Sequence, residues 1–222
     1  MIGNLNVRLR KPIYGFGIND ADYVTQPIDR SGRCPIFDKW HSMIRRCYSE
    51  HSLKMYPLYT NVEVDVRWKH FSGFKVWMES QNWQGMTLDK DWIGEGTIYS
   101  PETCRFIPQE LNVFLSENLF KEFPGSRLKF LDGRDKPYIS QSMVQGKKKH
   151  LGVFSCEFDA HRAWQMSKLK ELQRLSEVYA NIDPDIQNKM KLIENNLSFA
   201  LKHGIVTSSL KELTEMVYEE VT

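Results

Sequence analysis

A chain of 222 residues, 41% hydrophobic and 26% charged, is long enough for one substantial core or two smaller ones without disulfide staples. Thirty Lys and Arg against 28 Asp and Glu leave a net charge of +2, so overall charge argues neither for nor against a nucleic-acid partner. No apolar run is long enough to span a membrane, and the amino terminus "MIGNLNVRLRKPIYGFG" lacks the apolar core of a secretion signal.

The four cysteines, Cys34, Cys47, Cys104 and Cys156, are widely spaced and form no CxxC pair. Buried free thiols in a reducing compartment are expected, and zinc is not. The charge distribution says more than the total. Seven Lys and Arg against two Asp fall between Arg127 and His150, whereas residues 171–222 carry nine acids against five bases. A local basic block in a neutral chain points to a polyanion partner.

Residues 1–33 are rich in Gly, Pro and Asp and read as an extended lead-in. "CPIFDKWHSMIRRCYSE" (34–50) predicts an amphipathic helix, with Pro35 in its first turn and Ile36, Phe37, Trp40, Met43, Ile44, Cys47 and Tyr48 on one face. Lys39, Arg45 and Arg46 fall on the opposite face. A second helix is expected over "VRWKHFSGFKVWMES" (66–80), with Trp68, Phe71, Phe74 and Met78 as its stripe. "MTLDKD" (86–91) suggests a strand, "IGEG" a turn, and "TIYSPETCRFI" a second strand or an irregular return. Pro108 then opens a helix over "PQELNVFLSENLF", completing strand, loop, strand and helix within about 35 residues, the order of a ββα unit.

"FPGS" (123–126) breaks the pattern and is read as the boundary between two domains. Beyond it, "RLKFLDGRDKPYISQSMVQGKKKHLGVF" predicts three short strands, with turns at Asp132-Gly133 and Gln145-Gly146. Ser155 is placed to cap the helix that follows, and Ala160, Ala163, Trp164 and Ser167 form its stripe of mostly small residues. A tail helix starts at Asp183-Pro184 and stops at Gly204. This acidic appendix could pack on the body, pair with a second copy or bind another protein.

The segment "GRDKPYISQSMVQGKKKHLGVFSCEFDAHRAWQMSKLK" resembles the Apetala-type (ethylene-response-factor) DNA-binding domain as it occurs in bacteriophage proteins. The resemblance covers about residues 125–170 and rests on the Gly-Lys turn, "LGVF" and the alanine-bearing helix with its aromatic. It implies a sheet lying in the major groove of duplex DNA, with Arg127, Lys129, Arg134, Lys136, Tyr138, Lys147 and Lys149 as DNA-binding residues.

The amino-terminal part resembles phage HNH endonucleases of the His-Me finger group. The pieces that carry this are "CPIFDKWHSMIRRCYSE", the Trp68-Phe71-Phe74-Trp77-Met78 spacing, "LDKD", "YSPETCRFIP" and Asn112. The resemblance implies metal-dependent phosphodiester hydrolysis with Mg²⁺ or Mn²⁺. Asp89 then stands for the metal-binding acid, Asn112 for the metal ligand on the helix, and Lys90 falls where the general-base histidine is expected. A lysine ammonium titrates near ~10.4 and is a poor base at neutral pH. Asp91 is a second candidate for base or ligand, and a charged Lys90 could stabilise a developing oxyanion.

The expected architecture is therefore α+β. A ββα-metal, His-Me finger-like region (14–122) precedes a three-stranded antiparallel sheet packed on a helix (125–180) and a helical tail (181–222). Expected partners are double-stranded DNA and, through the tail, another protein or a second copy; no membrane contact is expected. The expected location is the cytoplasm, that of the host cell for a phage-encoded protein. The leading reading is a phage-type, metal-dependent endonuclease with a degenerate site at Asp89, Lys90, Asp91 and Asn112. The alternatives are a non-catalytic DNA-binding or regulatory protein that keeps the nuclease scaffold, and a factor that binds host protein.

Overall fold

Helix α1, Pro35–Tyr48, forms where the apolar spacing requires it, with Pro35 at its first position and Arg45 and Arg46 in its last turn. Ile36, Phe37, Trp40, Met43, Ile44 and Cys47 are all buried. The computed structural model describes residues 11–29, 31–94, 96–115, 122–131, 133–210 and 213. The chain divides into two compact units, Met1–Pro108 and Gln109–Thr222.

In the first unit, α1 is followed by the short helix α2, Glu50–Met55, whose cap Ser49 accepts from the Ser52 N–H. The helix expected over 66–80 is two elements. Val66–Trp68 is a 3-10 turn capped by Asp65, and α3 runs only over Phe71–Glu79. The Asp65 carboxylate holds the Arg67 N–H at 2.8 Å, which favours the tight turn over a continuous helix. His70 lies at the cap of α3, not within it. Trp68 is nevertheless core, edge-to-face with Phe74 and 4.5 Å from the Trp77 ring.

Trp40 ties these pieces together. It is fully buried, and its Nε1–H donates to the Trp68 carbonyl at 2.7 Å. Trp40→Phe keeps most of the apolar surface but leaves that buried carbonyl without its donor. It is expected to cost about 2 kcal/mol, read as a lowered urea midpoint.

Two small strand pairs complete this unit. β1 (Glu63–Val64) and β3 (Ile98–Tyr99) pair in parallel. β2 (Thr87–Asp89) and β4 (Arg105–Ile107) pair antiparallel, with Thr87 opposite Ile107 and Asp89 opposite Arg105. Residues 97–107, expected as a strand or an irregular return, contribute one strand to each pair. The chain continues from β4 into α4, Gln109–Leu115; residues 116–120 of the expected helix lie outside the described residues.

In the second unit the three expected strands are present as β5 (Ser126–Leu128), β6 (Tyr138–Val144) and β7 (Lys147–Phe154), in the order β5-β6-β7 and antiparallel throughout. Gln145 and Gly146 both have positive φ, 50° and 70°, the backbone a two-residue β6–β7 turn demands. Helix α5, Glu157–Val178, covers the sheet. Its cap is Cys156, without a side-chain hydrogen bond, so Ser155 does not fill that role.

Gly125 allows the close approach of sheet and helix. Its φ is +79°, and a Cβ there would lie 2.3 Å from the Trp164 Cβ. Helix α6, Pro184–His203, begins at the Asp183 cap and ends at a left-handed Gly204, and it packs along α5. Ile186, Met190, Ile193, Leu197 and Ala200 are buried, so within the chain the tail helix packs on the body.

His161 of α5 is fully buried and accepts the Thr207 N–H at Nε2, 3.1 Å, so its Nδ1, 2.9 Å from the Pro124 carbonyl, carries the proton. Among the described residues no helix is long and apolar enough to cross a membrane. All four cysteines are free; Cys47 and Cys104 are buried, but Cys34 is half-buried and Cys156 exposed, against the expectation of four buried thiols.

Candidate functional site

The hairpin of the first unit is built around its own turn. Asp89 ends β2, and its Oδ1 accepts the N–H of Asp91 at 2.8 Å and of Trp92 at 2.9 Å. Asp89 is itself buried. Burial, reinforced by the charge of Asp91, pushes its carboxyl up to about 6, against the pull of the two amides and of Lys90.

Lys90 is largely buried. Its side chain is 7% exposed and donates to Asp91 Oδ1 at 2.9 Å. The ammonium also lies 5.5 Å from the Tyr59 ring centroid and 5.6 Å from that of Tyr99. The side chain is thus committed to Asp91 and the two tyrosine rings.

Arg46 departs from the sequence expectation. The helical pattern turned it outward with Lys39 and Arg45, yet its guanidinium lies 5.9 and 5.6 Å from the same two rings. Its Nε is buried without a hydrogen-bond partner among the described residues. Lys39, seven positions earlier on α1, is half-buried and donates to the Met86 carbonyl at 2.9 Å, beside the start of β2. Of the three, only Arg45 is exposed. Lys39, Arg46 and Lys90 thus gather at a hairpin whose carboxylates are Asp89 and Asp91. Tyr59, Tyr99 and the buried face of Arg46 were not foreseen, and only the seven-residue spacing of Lys39 and Arg46 hinted that they share a face.

These residues do not fit a resident divalent cation well. Asp89 Oδ1 is committed to its turn, Asp91 holds Lys90, and fixed positive charge already stands beside both. Among the described residues no three of His, Cys, Asp or Glu gather as a metal ion requires. Asn112 lies on α4, in the second unit, and is half-buried.

The expected DNA-binding residues are all in the second unit. Arg127, Lys129, Arg134, Lys136, Lys147 and Lys149 are exposed, and Tyr138 is half-buried. Register sets Arg127 beside Ile139, and Lys149 and Lys147 beside Ser142 and Val144. At about 3.3 Å per residue, the five steps from Ile139 to Val144 spread these charges over about 17 Å. Two basic side chains use the same ring in the β5–β6 loop: Arg134 stacks 3.8 Å from the Phe130 centroid, and the Lys129 ammonium sits 5.0 Å from it.

Elsewhere in this unit, Arg174 bridges Glu110 and Glu171, and Tyr179 donates to Glu110 at 3.2 Å. Beside them lies a cavity of about 430 Å³ lined by Val113, Phe114, Met143, Lys168 and Leu175. No family model, curated protein or solved structure matches this chain.

Proposed function

We propose that this chain is a DNA-binding protein of phage type that contacts duplex DNA through the basic three-stranded unit, with the HNH-like hairpin kept as a scaffold. What supports this reading is the exposure of four consecutive residues, Lys147 to His150, on a strand paired in register to a short sheet that one helix covers. Long flexible cations on a narrow sheet suit phosphate contacts. The spread of about 17 Å from Arg127 to Lys147 along the sheet corresponds to about five base-pair steps of duplex.

A salt titration of duplex affinity tests it. The double variant Lys147→Gln, Lys149→Gln is expected to bind at least tenfold more weakly at low salt. It should also flatten the dependence of log K on log salt by about 2, since each lost phosphate contact removes about 0.9. Unchanged affinity and slope would overturn the assignment of this strand.

A second reading is metal-dependent cleavage of duplex DNA by an HNH-type site, and one observation favours it. Strand β2 ends on Asp89, pairs antiparallel with β4, and helix α4 follows directly in the chain. It requires Mg²⁺ or Mn²⁺ held by Asp89 and Asn112, and Asp89 would first have to release its turn amides. Nicking of supercoiled plasmid with either ion, abolished by Asp89→Ala, would establish it. Wild-type protein that leaves plasmid intact under both ions returns the hairpin to a scaffold role.

A further inference from the structure

We infer that Arg46 and Lys90 form a metal-free oxyanion site in the first unit, where two side-chain cations hold one phosphate or sulfate group. The inference concerns the hairpin and not the basic sheet. It rests on the DNA-binding proposal only where the phosphate comes from a DNA backbone.

The hairpin fits a divalent ion poorly, because its carboxylates are already engaged. Lys90 follows the last residue of β2, and Arg46 comes from the last turn of α1. Both converge on Tyr59 and Tyr99, within 6 Å of each ring. The tyrosine faces partly offset the loss of water around each cation. They supply no full negative charge.

Of the two nearby carboxylates, Asp89 accepts the amides of its own turn, and Asp91 takes the Lys90 ammonium. Arg46 has no ion pair among the described residues, and its Nε–H is buried without an acceptor. A mostly buried guanidinium with an idle donor is costly unless an acceptor reaches it. Lys39 adds a third positive charge on the same face of α1. The cluster therefore carries one cation more than its carboxylates, with a buried donor unfilled.

A tetrahedral oxyanion supplies both missing things, a negative charge and several acceptor oxygens. Guanidinium and ammonium groups are the side chains that hold such a group most directly. Asp91 and Tyr59, which border the two cations, are only half-buried, so a small oxyanion has to displace little more than the Asp91 carboxylate to reach them. In this arrangement fixed protein cations take the place of a metal ion, so binding needs no divalent ion.

Thermal unfolding of the full chain in EDTA tests this, comparing sodium phosphate with sodium chloride at equal ionic strength. Phosphate is expected to raise Tm by several degrees more than chloride does. Lys90→Gln and Arg46→Gln should each weaken phosphate binding at least tenfold, while Lys90→Arg and Arg46→Lys retain most of it. Because Arg46 and Lys90 are buried and phosphate stabilises proteins in general, a variant that fails to fold leaves the wild-type titration as the test: the site requires a Tm gain that saturates at low millimolar phosphate, and a gain that only grows linearly with concentration would overturn it. Equal Tm in phosphate and chloride, or a phosphate effect that appears only with Mg²⁺, would overturn the inference.

Lys149→Gln, on the sheet, should leave the phosphate effect intact even where it weakens DNA binding, so failure of the sheet proposal and failure of this one are distinguishable. Displacement of phosphate by a short duplex identifies a DNA backbone as the natural source. A phosphate effect that duplex does not displace assigns the site to a free oxyanion.

Discussion

Gly125→Ala is expected to destabilise the second unit by about 3 kcal/mol, combining a left-handed backbone position with overpacking. The backbone there has φ +79°, and the new methyl group would fall 2.1 Å from Trp164 Cγ and 2.3 Å from its Cβ. Cβ and Cγ lie next to the helix backbone, so the indole cannot swing aside; α5 itself must lift from the sheet. Trp164 is the sole tryptophan beyond Pro108, and the other five lie in the first unit. A urea titration that follows a fluorinated Trp164 by NMR isolates the second unit. Its midpoint should fall sharply while the signals of Trp40 and Trp68 keep theirs. A variant with the wild-type midpoint would mean that α5 does not sit against Gly125.

The second large effect is a gain. Asp89→Asn is expected to stabilise the first unit near neutral pH by up to about 3 kcal/mol. Burial raises the Asp89 carboxyl from 3.8 to about 6, and each tenfold change in proton affinity is worth about 1.4 kcal/mol. A carboxyl raised on folding favours the protonated native state. Its contribution is full below about pH 4 and is lost as pH climbs through about 6. An asparagine oxygen can still accept the Asp91 and Trp92 amides, and it carries no charge to desolvate. Wild-type stability should therefore decline from pH 4 to 7 relative to the variant, as read from urea midpoints at the two pH values. A variant weaker than wild type at pH 7.5 would show that the ionised carboxylate is needed by its surroundings. A residue whose charge costs stability, if it is kept for activity, should trade one for the other. Asp89→Asn in the plasmid assay bears directly on that.

Much of the architecture was legible because it is written in local pattern. The α1 stripe, the Asp183 and Gly204 boundaries of α6 and the Gln145-Gly146 turn each depend on a few neighbouring residues. What escaped depends on residues far apart in the chain. β1 and β3 are two residues each and have no period to detect. The break between Trp68 and Phe71 reflects the capping preference of Asp65 overriding a continuous apolar stripe. Arg46 misled for the same reason. A helical wheel sees only α1, whereas its surroundings come from Tyr59, in the 3-10 turn Pro57–Tyr59 before β1, and from Tyr99 of β3. The basic positions of the sheet were visible as a charge block, but register alone gives their spacing.

The buried imidazole of His161 has a practical reach beyond its two contacts. One side chain fastens the turn leading into the sheet, at Pro124, to the segment after the last long helix, at Thr207. Gln165 adds a second stitch through the Ile205 carbonyl and the Thr207 hydroxyl. A fragment trimmed to residues 125–180 would cut both threads and expose the apolar side of α5. The smallest piece of the second unit able to fold alone therefore has to start before Pro124 and extend past Thr207.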